Sequence, residues 1–375
     1  MAITTGKKPR RLSFWSYILL LINFGVVILL AIGFSAAYIA PDRNWVFAFG
    51  GLIFPYAVVA NIFFVLIWLF LRRRLFLISL IALLFCWARL TNYVQFNSAV
   101  KTNDKVLKII SYNVQIFDLY NWKKDKISEK GHEIIDLIRK EKPDFLCLQE
   151  YHGGKKSKVD IADSIKKSSG LNFEQIAFVK KDGKKQAYGI AIFSKWPLIN
   201  KKVIDFDANP VNFCIYSDIV INTDTVRLFN VHLESIRLSQ EDYLYVTDLP
   251  KATEDQDLFA KNSKKILRKF KRAFIARAPQ ARKVAELIKD SPYPVILCGD
   301  FNDTPSSYTY HHLTQLLIDS FKESGKGIGI TYGGALPSFR IDYILHDKNL
   351  KSINYQTIRN SLSDHYPITT GILLH

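Results

Sequence analysis

Residues 101–375 predict an α/β fold with two packed sheets flanked by helices, and residues 1–100 predict a helical membrane region in front of it. Three observations carry this. The first hundred residues hold two long stretches without a charge, whereas the remainder opens as strand, helix, strand. Strands then outnumber helices, and several consecutive strands have no helix between them, which requires extensive antiparallel pairing. The 275 residues from Lys101 to His375 are ample for one large domain.

The membrane region reads as follows. Trp15–Ala40 is a 26-residue stretch without a charge, where a bilayer core needs about 20 residues. It is too long for a simple signal peptide and lacks the cleavage pattern. Trp45–Leu71 repeats it, and the short link Pro41-Asp-Arg-Asn makes the two a helical hairpin, with helices at about 15–40 and 46–71. A third run, about 75–96, is apolar to Trp87 and then mixes Arg89, Asn92 and Gln95 among apolar residues. Lys7, Lys8, Arg10 and Arg11 precede the first helix and Arg72–Arg74 follow the second, so the positive-inside rule places both sites in the cytoplasm. If the third run spans, with Arg89 snorkelling to the far interface, the large domain is extracytoplasmic; as an interfacial helix it would leave that domain in the cytoplasm. A three-arginine loop between two apolar runs reads as a tight hairpin, which favours spanning. The expectation is an integral membrane protein with its large domain outside the cytoplasm.

Within the large domain, Lys105–Val114 reads as a strand, Glu129–Lys140 as a helix stopped before Pro143, and Phe145–Leu148 as a buried strand that delivers Glu150 just past its end. Further strands are expected at Gly189–Phe193, Phe213–Ile221, Val226–Val231, Val295–Cys298, Ile341–Leu345 and Ile368–Leu373. Helices are expected at Asp160–Lys167, Ser263–Ala276, Ala281–Ile288 and Tyr308–Leu317.

The chain carries a net charge of +17, which favours acidic partners such as nucleic acid, phosphorylated small molecules or anionic lipid headgroups. Lys261–Lys283 holds ten basic residues and no acid, with Ile266, Phe270 and Phe274 on one stripe. It reads as a basic amphipathic helix, packed on the domain or touching anionic lipid or nucleic-acid phosphates, with the nearby membrane favouring lipid. Cys86, Cys147, Cys214 and Cys298 all lie in apolar runs without metal-ligand spacing and read as small buried residues.

Six short strings carry chemistry: Ser111-Tyr-Asn-Val, Leu148-Gln-Glu, Asn230-Val-His-Leu-Glu, Gly299-Asp-Phe-Asn-Asp, Arg340-Ile-Asp-Tyr-Ile-Leu and Ser363-Asp-His-Tyr-Pro. Phosphodiester cleavage needs a cation to neutralise phosphate charge, a positioned water and a donor to the leaving oxygen. Hard oxygen ligands such as Glu150 suit Mg²⁺ or Mn²⁺. Arg340 lies two residues from Asp342, so on a strand the two share a face, and Arg340 either reaches a substrate phosphate or pairs with that aspartate.

The order of the six strings resembles the endonuclease/exonuclease/phosphatase superfamily, from Lys105 to His375. The resemblance implies a four-layer α/β sandwich with the site at one rim of its two central sheets. It implies that Asn113 and Glu150 contact a metal, directly or through water. Asp300 would orient or deprotonate the attacking water, and Asn302, two residues on in an extended segment, would hold a phosphate oxygen. His232 and His365 would contact the scissile phosphate and stabilise charge at the leaving oxygen. Asp342 would bond the terminal histidine and fix its tautomer, and Asp364 would be a further acid on the metal or phosphate side. The carboxylate that partners the first histidine in deoxyribonuclease-like members has no evident counterpart near Gln186 and Tyr188. The implied activity is hydrolysis of a phosphodiester in nucleic acid or a lipid headgroup; phosphomonoester hydrolysis of metabolites and a non-catalytic membrane scaffold are the alternatives. A scaffold predicts damaged site residues, and none of the principal ones is missing.

Overall fold

The computed structural model describes residues 13–71, 74–121, 127–153, 160–181, 184–206, 211–247, 256–334, 337 and 339–374; Lys7, Lys8, Arg10, Arg11, Arg72 and Arg73, used above for topology, lie outside them. Helix α1 (Phe14–Ser35) begins at Ser13, whose side chain accepts from the Ser16 N–H, and α2 (Val46–Phe70) runs back beside it. Both are long and apolar enough to cross a membrane. Their backbones touch where Gly33 meets Gly50: a Cβ on Gly33 would stand 2.8 Å from the Gly50 carbonyl oxygen. Small residues at a helix crossing permit such approach. Nearby, the Trp68 indole donates to Asn23 Oδ1 (3.0 Å), and Asn23 Nδ2 donates to Ser79 Oγ (2.6 Å), joining three apolar segments through a buried polar cluster.

The third apolar run departs from expectation. It is helical only over α3 (Phe76–Phe85) and a single turn, Trp87–Leu90, before becoming strand β1 (Val94–Phe96). Ten residues rise ~15 Å, half of a ~30 Å hydrocarbon core, so α3 is not a full helical span. Arg89 does not snorkel; it is 6% exposed, with its guanidinium over the Phe34 and Tyr38 rings. The helix breaks because its polar residues find partners on the large domain: Asn92 donates to the Pro305 carbonyl and Tyr93 to Ser306 Oγ, while β1 pairs with β11 (Lys326–Ile328).

Two six-stranded sheets follow. The first has the order β13 (Leu350–Thr357), β14 (Ile368–Leu374), β2 (Val106–Asn113), β3 (Phe145–His152), β5 (Lys184–Ser194), β4 (Phe173–Lys181). The second has the order β10 (Ile318–Asp319), β12 (Asp342–His346), β9 (Val295–Asp300), β8 (Asp224–His232), β7 (Phe213–Ile221), β6 (Leu198–Asp205). Each has one parallel pair at its centre, β2–β3 and β8–β9, and is otherwise antiparallel. Of the strands in these two sheets, the ones missed in the sequence, β4, β6, β10 and β13, are the four edges. An edge strand is half solvated, so its apolar signal is weak; β6 alternates little and is mostly exposed.

Consecutive residues of the central strands enter different cores. Ile109, Phe145, Cys147, Ile296 and Cys298 fill the space between the sheets. Ile110, Leu146 and Leu148 pack against Ile134, Ile138 and Ile165 of the helices Glu129–Glu141 and Ile161–Ser169. Leu297 and Leu345 pack against Val284, Ala285 and Leu313 on the other side. The result is the expected four-layer α/β sandwich, and burial on both faces explains why these strands read as unbroken apolar runs. All four cysteines are free and buried.

The basic segment is one 34-residue helix, Gln256–Lys289, rather than two, with Pro279 accommodated inside it. Its apolar stripe packs on the protein itself, Phe270 and Phe274 lying against Phe49 of α2. Much of its charge is consumed internally. Lys265 and Lys269 pair with Asp242, Arg272 with Glu234, and Arg282 with Asp42 in the α1–α2 link, while Lys271 lies over the Trp45 ring. Lys261, Lys264 and Arg268 are also exposed.

One half-buried carboxylate sets an acid limit. Burial acts to raise the pKa of Glu323, but His346, 2.9 Å away, and the Ser352 N–H and hydroxyl hold it at about 2. A depressed carboxylate contributes stability above its unfolded pKa, near 4.5, and loses it as pH falls toward about 2. Glu323→Gln is expected to flatten the stability profile across that window, read from thermal unfolding against pH.

Candidate active site

Strand β9 ends at Asp300 with a functional neighbour on each side. In the β8–β9 register Asp300 lies beside His232, and in the β12–β9 register beside Asp342. Residues in register on adjacent strands project to the same face. Gly299 makes this possible: its φ is 149° and a Cβ there would stand 2.0 Å from the Val231 carbonyl oxygen, so only glycine lets β8 and β9 close up beside the site.

The other sheet contributes from across the sandwich. Asn113, at the end of β2, donates from Nδ2 to Asp300 Oδ2 (3.1 Å). Below it, Gln149 donates to Asn230 Oδ1 (2.7 Å), and Asn230 Nδ2 donates to the Leu148 and Ala191 carbonyls. These buried amides lock the relative position of the two sheets under the site. Glu150 sits in a bulge of β3 with φ 50°, which turns it out of the strand's alternation. The Ser363 hydroxyl donates to the Asn113 carbonyl (2.9 Å), anchoring the loop that carries Asp364 and His365.

His365 Nδ1 lies 2.9 Å from Asp342 Oδ2, and its Nε2 lies 3.7 Å from Asp300 Oδ2. His232 Nε2 approaches the same oxygen from the other side at 3.8 Å, so Asp300 is the carboxylate facing the histidine for which the sequence offered no partner. The two imidazoles are biased in opposite directions. Burial disfavours the charged form of both, but the carboxylates of Asp342 and Asp300 carry His365 well above its ordinary range. For His232 burial prevails over the attraction of Asp300, holding it below that range. Burial, then the charge of Asp342, raises Asp300, opposed by the two histidines.

The donor set fits a hard dication. Burial and the charges of Asp364 and Asp300 push the Glu150 carboxyl up to about 7, so the acids here lack positive charge. His232 Nε2 is buried without a hydrogen-bond partner among the described residues. Ligand atoms of Asp300, Asp342 and His365 lie within 4.8 Å of one another, but His365 and Asp342 already satisfy each other. Glu150 and Asn113 are the better candidates to hold a cation.

Two expectations need correction. Arg340 precedes β12 instead of lying in it, so the two-residue period does not apply: it is buried, donates to Asp319 Oδ2 (2.7 Å) and to the Asn92 carbonyl (2.8 Å), and touches neither the cavity nor Asp342. Asn302 is not extended. With φ 53°, it turns the chain so that its N–H donates to Asp300 Oδ1 (2.7 Å) and its side chain to the Leu233 carbonyl, orienting the aspartate while still lining the cavity. Buried Arg277 braces this turn through the Asn302 carbonyl and Asp303.

Asp300, Asn302, Glu150, Asp364 and His365 line one cavity of about 420 Å³. Arg237, Tyr243 and Tyr332 also line it. Tyr332 stands edge-on to His365, and its hydroxyl is bonded to Tyr243. None of these three lies in a motif: Arg237 and Tyr332 come from irregular segments and Tyr243 from the short helix Gln240–Thr247.

Residues 110–365 match the model of the Endonuclease/Exonuclease/phosphatase family, and residues 16–93 match a Domain of unknown function (DUF8431). Similar solved structures include D. rerio TDP2 complexed with single strand DNA product (18% identity, TM-score 0.51, 72% of this chain and 100% of that one). The human Nocturnin catalytic domain with bound sulfate anion is similar at 16% identity and TM-score 0.51, over 74% of this chain and 97% of that one. An endonuclease/exonuclease/phosphatase family protein from Bacteroides thetaiotaomicron gives 16% identity and TM-score 0.51, over 73% and 100%. At such identities the likeness establishes the fold. No curated protein matches the sequence.

Proposed function

Because this chain belongs to the endonuclease/exonuclease/phosphatase family, whose model matches residues 110–365, we propose that it is a membrane-anchored, metal-dependent hydrolase of phosphate esters, phosphodiesters first among them. The observation that carries this is the convergence of Asn113, Glu150, His232, Asp300, Asp342 and His365 from two sheets, with Asp300 Oδ2 3.8 Å and 3.7 Å from the two imidazoles.

Glu150 and Asn113 would hold Mg²⁺ or Mn²⁺, which when bound neutralises charge on the phosphate. Asp300, fixed by the Asn113 amide and the Asn302 N–H, orients water and takes its proton as the water oxygen bonds phosphorus. The opposite P–O ester bond breaks. Protonated His365, steered by Asp342, gives its proton to the leaving oxygen, and neutral His232 steadies a phosphate oxygen. Asp364 faces the same cavity and keeps the cation side acidic.

The membrane reading rests on α1 and α2. The Arg282–Asp42 pair, the Thr304 hydroxyl on the Gly51 carbonyl, and Tyr93 stacked on Phe54 hold the large domain at the link end of the hairpin, opposite Arg74. With the basic end in the cytoplasm, the domain is extracytoplasmic. Although α3 is short, the run from Arg74 to Tyr93 returns the chain to that end.

The test is turnover by the full chain in detergent with Mg²⁺, on plasmid DNA, phospholipid vesicles, inositol polyphosphates and bis(p-nitrophenyl) phosphate. Absence of any phosphate-ester hydrolysis by the folded protein overturns the reading. Asp342→Asn, which keeps the shape but removes the charge behind His365, is expected to lower kcat by about 10²–10³-fold, with a smaller change in KM.

A further inference from the structure

Resting on the phosphoesterase reading, we infer that the substrate is a bilayer glycerophospholipid, whose acyl chain lies along α2 while its phosphodiester reaches Asp300 and the two histidines. The catalytic cavity has two unlike ends. Its base is polar, with Glu150, Asp300 and His365; its walls include Leu52, Ile53 and Tyr56 of α2, together with Phe270, Phe339 and Ile236 of the large domain. Tyr56 and Phe339 meet edge-on at 6.5 Å, one ring from each part of the molecule.

The α2 wall belongs to a longer stripe. Ile53 and Tyr56 are 40% and 54% exposed, and Val59, Phe63 and Leu66, 51%, 59% and 55% exposed, continue the same side toward the membrane-crossing part of the helix. Spacings of three and four residues keep them on one face. An alkyl chain can therefore pass from lipid into the cavity without leaving an apolar surface. A substrate soluble in water gains nothing from these walls. Arg237 is the only lysine or arginine lining the cavity among the described residues, too little cation for a nucleic-acid backbone, which is tracked by grooves of many.

In the reaction the water oxygen bonds phosphorus, one ester oxygen leaves with a proton, and the lipid and water-soluble parts separate.

The test uses the full chain in phospholipid nanodiscs with Mg²⁺. First, a phosphatidylcholine carrying a photoreactive diazirine in its acyl chain is irradiated with the Asp300→Asn protein, which binds without turnover. Crosslinks to Phe270 or Phe339, which lie on the large domain, are expected; crosslinks confined to the N-terminal helices overturn the inference. Second, dioctanoylphosphatidylcholine is expected to exceed glycerophosphocholine in kcat/KM by about 100-fold, and Ile53→Asp to cut that ratio at least about tenfold. A ratio near one in the unmodified protein overturns it. Asp300-dependent hydrolysis of bis(p-nitrophenyl) phosphate without phosphatidylcholine hydrolysis defeats the lipid inference and leaves the phosphoesterase standing. Failure on bis(p-nitrophenyl) phosphate as well defeats both.

Discussion

Asp300→Asn is expected to lower kcat/KM by about 10³–10⁴-fold while the protein stays folded. Every other group of the site is arranged about this carboxylate. Asn113 donates to one oxygen and the Asn302 N–H to the other, and the two imidazoles face it from opposite sides. An amide preserves the volume and, with its oxygen toward Asn302, that contact; its NH2 then faces the Asn113 Nδ2, so one hydrogen bond is given up while the packing survives. It cannot accept a proton from water at neutral pH, and it removes the negative charge between the histidines. Burial and Asp342 disfavour ionised Asp300, which offsets the lost Asn113 hydrogen bond, and thermal stability is expected to stay near that of the unmodified protein. Steady-state turnover of bis(p-nitrophenyl) phosphate with a parallel melting curve checks both halves. Undiminished turnover would overturn the assignment of the site.

Arg340→Met is expected to cost about 3–5 kcal/mol of stability, because breaking a buried ion pair leaves the partner's charge uncompensated. Arg340 and Asp319 are both almost fully buried, 2.7 Å apart. Asp319 keeps two donors, the Tyr310 hydroxyl and the Phe321 N–H, but loses the cation that pairs with it. The guanidinium also packs over the Phe321 and Tyr343 rings at 4.6 and 4.7 Å and holds the Asn92 carbonyl, so its loss loosens the connection from the membrane helices to the second sheet. The midpoint of thermal unfolding should fall by roughly 10 °C. Arg340→Met combined with Asp319→Asn should recover most of that loss, since the stranded charge is gone. Activity of the single variant at a permissive temperature should be near normal. A large loss of kcat with unchanged stability would restore Arg340 to the phosphate site.

Much of the chemistry was legible along the chain. The six strings placed a carboxylate, amide or imidazole at strand ends, and the apolar runs between them marked strands buried on both faces. Ile109 and Ile110 illustrate the limit of that signal: they enter different cores, and an unbroken run cannot say which face is which. Edge strands such as β6 and β13 escaped because their buried positions are sparse or irregular, so neither an apolar run nor a clean alternation marks them. Arg340 and Asn302 were misread for one reason, the assumption of an extended backbone; φ at Asn302 and the late start of β12 were set by neighbours distant in sequence.

By itself, the sequence determined the family, the order of the central strands and the residue types that stand at the site proposed here, since these depend on residue type and local period. Only the tertiary structure decided which groups face one another. Asp300 acquires both histidines through strand register, Arg340 is drawn to Asp319 by the second sheet's edge, and α2 becomes a wall of the cavity because Phe49, Gly51 and Asp42 dock on the large domain. Such contacts join residues far apart along the chain, and their energies arise from packing and desolvation that no local pattern encodes.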